Sequence, residues 1–246
     1  MPPKTGKRNM ATVIGSGMLA RSFATTAFAR NCLVLASGVS NSNEQEISEF
    51  KREADIVAAA IHAHPSSRVI YFSTCSILQQ GPTPYIRHKL DMEALVAAAA
   101  SSFHIYRLPQ VVGVTRNLTL VSYLVESLLQ RRCVTVQGRA RRNLVDVDDV
   151  SRLIRYLVDY DIGRNSIQNL AAAYSTHVGD VLGAIAELLD IDPIFDVADT
   201  GQGYDISTDF VRKHFGSDDA LMKPDYWQSV LRKHVPAIAA QFRSNA

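Results

Sequence analysis

What most constrains this chain is an alternation. Four short apolar runs, ATVI (11–14), CLVLASG (32–38), RVIYFS (68–73) and FHIYRL (103–108), are separated by segments with helical periodicity. Each run suits a strand buried on both faces, and each intervening segment has room for a crossover helix, the pattern of parallel strands in one sheet. An α/β fold with a doubly wound parallel sheet is therefore expected. The alanine-rich LARSFATTAFAR reads as the helix after the first strand. A helix from about Glu44 to His62 precedes the third run, and another from Tyr85 to about Ala100 precedes the fourth.

The second half is less regular. LTLVSYLVESLLQ (118–130) reads as a helix, CVTVQG as a strand, and DVDDVSRLIRYLVDY as a helix whose acidic start, Asp148 and Asp149, suits the positive end of its dipole. IQNLA reads as a strand, HVGDVLGAIAELLD as a helix, and KPDYWQSVLRKHV as a helix with Pro224 in its first turn. Beyond Pro236 one further helical turn or a frayed end is expected. The reading divides the chain into a tail (1–10), a core (11–116), and a remainder (117–246) that mixes core elements with a small substrate lobe.

With 246 residues, 47% of them apolar, the chain can bury one substantial core. No apolar run approaches the roughly 20 residues of a membrane span, and MPPKTGKRNM lacks the apolar segment of a secretory signal, so no membrane partner is expected. Three cysteines, Cys32, Cys75 and Cys133, lie far apart without a C-x-x-C pattern, which suggests neither a disulfide framework nor a metal site. A cytoplasmic location fits. A net charge of +2 gives no reason to expect nucleic acid.

Chemistry is suggested at two places. Gly15, Ser16, Gly17, Met18, Leu19 and Ala20 match G-x-G-x-x-A between a predicted strand and helix, where glycine lets the backbone approach a pyrophosphate resting on free helix amides. Glycine also serves merely to bend a chain, and the carboxylate expected about 20 residues on is absent. The second place is YFSTCSILQQGPTPYIRHK (71–89). A helix starting near Tyr85 puts Tyr85 and Lys89 on one face. An ammonium about 4 Å from a phenol, at an effective dielectric near 20, favours the phenolate by roughly 4 kcal/mol. That is enough to lower the phenol by as much as about 3 units towards the range of general acid–base work, less what desolvation takes back. The alternative is a surface tyrosine beside a solvated lysine, with Ser73 and Thr74 capping a strand. His88, next to Lys89, reads as a surface residue.

VIGSGMLA, YFSTCSI, YIRHK, YRLPQVVG and RRNLVDVDDV together, from about residue 11 to 190, resemble the extended short-chain dehydrogenases, which include the nucleotide-sugar epimerases, dehydratases and ketoreductases. The resemblance implies a Rossmann-like sheet with NAD or NADP at the carboxyl ends of its strands. It casts Tyr85 as the acid–base, Lys89 as the group that lowers its pKa and binds the nicotinamide ribose, and Thr74, in preference to Ser73 or Ser76, as the partner of the substrate oxygen. Cys75 and Ser76 stand where the family's dehydratases carry an acidic pair, which argues against lyase chemistry. Ala36, Ser37 and Gly38 resemble the small segment that passes close to the cofactor, and Pro109 the loop at its nicotinamide end. Arg142 resembles the arginine that grips the diphosphate of a nucleotide sugar.

One departure is large. Between Gly17 and CLVLASG there is room for one helix only, where the family inserts two more strands to hold adenosine, so LVLASG is expected to align with the family's fourth strand. The implied function is reduction of a keto group on a nucleotide-activated sugar. Epimerisation, a non-catalytic dinucleotide or nucleotide-sugar binding protein and a partner subunit are the alternatives. A homodimer is in keeping with the family.

Overall fold

The computed structural model describes residues 8–79, 81, 83–201 and 203–243, which divide into two compact units. The first comprises the chain up to Leu108 together with Val147–Leu170. Its centre is a five-stranded, wholly parallel sheet in the order Ser166–Asn169, Phe103–Leu108, Arg68–Thr74, Cys32–Leu35, Thr12–Ile14.

The α/β expectation holds; among the described residues Thr12–Ile14 lies next to Cys32–Leu35, with Val13 opposite Val34, and forms the sheet's edge. Strand residues alternate between two apolar layers. Leu33, Leu35, Val69, Tyr71 and Ile105 meet Val57, Ala60 and Ile61 of the helix Ile47–Ala63 and Met92 and Val96 of the helix Pro84–Ala99. Phe72 lies against Phe23, on the helix Met18–Ala24, which packs on the helix Val147–Asp159.

The first helix is shorter than expected from LARSFATTAFAR. It stops at Ala24, and Ala27–Phe28 instead forms a short antiparallel pair with Asn9–Met10. Phe23 and Phe28 are both fully buried with their rings stacked 6.4 Å apart, and β-branched Thr25 and Thr26 favour the bend between them.

The second unit comprises Pro109–Asp146 and the chain from Ala171 onward. It has three two-stranded ribbons: Gln110–Val112 with Leu144–Asp146, Val134–Gln137 with Phe195–Ala198, and Arg141–Arg142 with Thr176–His177. The helices Leu120–Leu129, Val178–Leu189 and Tyr226–Arg243 pack on one another. Pro224 precedes the last helix rather than opening it, and the helix runs through Pro236 to Arg243 because Ile238 and Ala239 beyond the proline are buried. Asp146, itself buried, accepts hydrogen bonds from Lys233 at 2.6 Å and His234 at 2.9 Å and ties this helix to its strand.

Candidate active site

Most of the expected site residues gather in the first unit, at the carboxyl ends of its strands. Ile14 ends the edge strand and Gly15 follows with φ of 128°, a conformation open to glycine. A side-chain atom on Gly15 would collide with the Ala36 carbonyl, so the chain here runs directly against the end of Cys32–Leu35. Ser16 and Gly17 are exposed, and Gly17 is the N-cap of the helix that carries Met18 and Leu19, without any side-chain cap bond.

Thr74 closes the strand Arg68–Thr74. Its Oγ1 accepts from the Ser76 amide at 3.0 Å and caps a 3₁₀ turn, Cys75–Leu78. Of its two rivals, Ser73 is buried and spent: it donates to Glu93 at 2.5 Å, while Arg107 holds the same carboxylate through two bonds of 2.8 and 2.6 Å.

Tyr85 and Lys89 ride the helix Pro84–Ala99. Thr83 starts it, accepting from the Ile86 amide at 3.2 Å, with Pro84 in the tolerant first turn. Both side chains are buried, 7% and 3% exposed. Tyr85 packs with Val39, Ile86, Phe50 and Ile77, and the Lys89 ammonium lies 5.9 Å from its ring centroid.

The lysine's hydrogen bonds go elsewhere, to Glu53 on the neighbouring helix at 2.9 and 3.2 Å and to the Tyr71 hydroxyl at 3.2 Å. Glu53 is fully buried and also accepts from the Val39 amide at 2.7 Å and from Tyr71 at 2.7 Å, with the His88 ring at 2.8 Å. His88 is thus buried and not on the surface; its ring stacks on Phe50 at 4.6 Å.

Burial alone would raise the Glu53 carboxyl, but the His88 bond, the Lys89 charge and the Tyr71 bond together hold it down to about 2. Burial pulls Lys89 below the usual lysine range against the pull of Glu53, and it pushes the Tyr71 phenol well up with Glu53 adding to it. A carboxylate with this many donors stays ionised.

Whether these residues fit a dinucleotide is tested by what they leave open. The Ser37 hydroxyl is buried with no hydrogen-bond partner among the described residues, and Gly17 has open space around its Cα. Both suit a polar ligand drawn along the turn. The adenosine end finds no such support, since the described residues place no strand beyond Thr12–Ile14. Pro109 and Arg142 belong to the second unit; Arg142 is half-buried on the ribbon Arg141–Arg142.

The sequence pointed to the glycine turn and the Tyr85 helix but not to Glu53, which sits in FKREAD among charges and reads as part of a solvated face. No helix among the described residues is long and apolar enough to cross a membrane, and no group of three metal-ligating side chains occurs among them.

A parallel sheet with a glycine turn on its first strand and a Tyr-x-x-x-Lys helix beside its third defines a Rossmann-like α/β protein. The NAD dependent epimerase/dehydratase family model matches residues 30–171, more than half of the chain, and the chain belongs to that family. Among solved structures, WbmH of Bordetella bronchiseptica in complex with NAD+ aligns over 86% of this chain and 75% of its own, with a TM-score of 0.66 and 18% identity. RMD from Pseudomonas aeruginosa with NADPH aligns over 87% and 82%, with a TM-score of 0.66 and 14% identity. The UDP-glucose 4-epimerase of Thermus thermophilus with NAD aligns over 85% and 75%, with a TM-score of 0.61 and 16% identity. At these identities the likeness is one of fold. A search of curated proteins returns no significant match.

Proposed function

We propose that the protein is an NAD(P)-dependent oxidoreductase of nucleotide-activated sugars, working as a keto-sugar reductase. The observation that carries the reading is the convergence of Gly15, Ala36, Gly38, Tyr85 and Lys89: Gly15 runs against Ala36, Gly38 lies over Lys89, and Lys89 faces the Tyr85 ring. In this reading Gly15 to Leu19 offer backbone amides to the pyrophosphate, Ala36 and Gly38 let the cofactor lie close, the Ser37 hydroxyl meets a polar atom of it, and Pro109 borders its nicotinamide end. Thr74 holds the substrate oxygen, Tyr85 moves its proton, Lys89 stands beside the tyrosine and meets the ribose, and Arg142 takes the diphosphate. When bound, the reduced nicotinamide supplies the hydride. A homodimer in the cytoplasm belongs to the same proposal.

A second reading, a binding protein without turnover, is favoured by one observation: Lys89 is already engaged by Glu53. NADPH and a panel of nucleotide 4-keto sugars, given to wild type and Tyr85→Phe, separate the two. The reductase reading expects oxidation of NADPH that collapses in the variant. Equal rates in both would end the catalytic proposal, and failure to bind any nicotinamide nucleotide would remove the cofactor.

A further inference from the structure

Glu53 lies outside the Tyr85 helix, on Ile47–Ala63, and has no solvent exposure. Its carboxylate joins four groups from three parts of the chain: the Val39 amide, the Tyr71 hydroxyl on the strand, and the His88 ring and Lys89 ammonium on the neighbouring helix. Gly38 forms the roof. A side-chain atom there would fall 2.7 Å from Glu53 Oε1 and 2.8 Å from Lys89 Nζ, so any larger residue would push the ion pair aside.

The charged and titratable groups around Lys89 are Glu53 from one helix, Tyr71 from the strand, and Tyr85, His88 and Glu93 from its own helix. Among them Glu53 alone makes an ion pair of 2.9 Å with the ammonium. Seen from the Tyr85 ring, a cation with its counter-ion attached is a small dipole rather than a full charge, and most of the Coulomb support for a phenolate is cancelled.

We propose that Glu53 is a positioning residue that neutralises Lys89 and leaves Tyr85 protonated at rest, so that the site holds ready the proton that ketone reduction consumes. This rests on the reading of Tyr85 as the proton-transfer group. In that direction the substrate carbonyl carbon accepts hydride from the reduced nicotinamide, the π pair moves onto oxygen, and the oxygen takes the Tyr85 proton. The ketone becomes an alcohol, NAD(P)H becomes NAD(P)+, and water reprotonates the tyrosine. An epimerase must begin with the opposite step, which needs a tyrosinate, and Glu53 withholds the charge that would form one.

The test does not depend on the cofactor. Tyrosinate absorbance is followed against pH in wild type and Glu53→Gln, each minus its own Tyr85→Phe counterpart. We expect Tyr85 to remain protonated in wild type at about pH 8, and Glu53→Gln to release its proton about one unit lower or more. Coincident midpoints in the two proteins overturn the proposal. So does a wild-type Tyr85 already ionised at about pH 8, a result that needs no variant at Glu53 and so survives a misfolded Glu53→Gln. In turnover, the pH at which alcohol oxidation reaches half its maximum falls in Glu53→Gln, and an unchanged pH profile counts against the proposal. Absence of turnover in every protein sinks the reductase reading and the direction with it, while the titration still judges the hold of Glu53 on Tyr85.

Discussion

Glu53 carries its charge with no solvent contact, so its stability contribution depends wholly on the donors around it. Removing one member of a buried, hydrogen-bonded ion pair typically costs about 3–5 kcal/mol, because the partner is left charged and unpaired. Glu53→Ala is expected to destabilise the protein by that order in urea denaturation, and Glu53→Gln by less, since the amide oxygen can still accept from one of its two donors, the Val39 amide or the Tyr71 hydroxyl. The pH dependence has a definite sign. The carboxyl sits near 2 in the fold against an ordinary 4.5, so its stabilisation is present above about 4.5 and is lost as pH falls towards 2. The acid limb of a stability–pH curve is expected to flatten over that window in Glu53→Gln. None of this was legible in the sequence. Tyr85 and Lys89 announce themselves by spacing, but Glu53 is 36 residues from Lys89 and reaches it only because two helices lie side by side on one face of the sheet. A one-dimensional reading therefore could not see the second helix that Lys89 also engages.

At the scale of elements, the strands were legible because their apolar runs are continuous, whereas helix ends were set by packing: the stacking of Phe23 on Phe28 curtails one helix and the burial of Ile238 extends another. The strand Phe103–Leu108 holds a feature that pattern does not reveal. His104 is fully buried in its interior, with Nδ1 3.3 Å from the Tyr106 hydroxyl and Nε2 unpartnered among the described residues. Burial, with Arg68 adding to it, lowers the imidazole to about 4 from an ordinary 6.5. The unfolded chain therefore binds the proton first, and stability is expected to fall as pH drops from about 6.5 to 4, by about 3 kcal/mol in total. His104→Leu removes this slope, and thermal melting across that range checks it. A melting temperature equally pH-dependent in both proteins would show that the strand tolerates a charged ring.

At the scale of the whole molecule, the described sheet has its first strand at one edge. With Thr12–Ile14 outermost, the described residues offer a dinucleotide its pyrophosphate turn but no strands alongside adenosine. Binding energy for a nicotinamide cofactor is then expected to come mostly from one half of it. Calorimetry should find reduced nicotinamide mononucleotide binding within about tenfold of NADH, or about 1.4 kcal/mol, and little preference between NADH and NADPH. A loss of several hundredfold on removing the adenosine would show that other residues take up its recognition.

The interleaving of the two units bears on how the chain is made. The fifth strand, Ser166–Asn169, and the helix Val147–Asp159 that packs beside Phe23's helix are both supplied after the chain has left the first unit at Leu108. A fragment ending at residue 108 is expected to lack cooperative melting, while one reaching residue 170 restores it to the sheet. On the ribosome, the half-built sheet must wait with one flank bare through synthesis of the 57 residues from Pro109 to Asn165, at roughly 5–20 residues per second. The nascent protein thus spends seconds as a natural client for whatever shields unfinished surfaces.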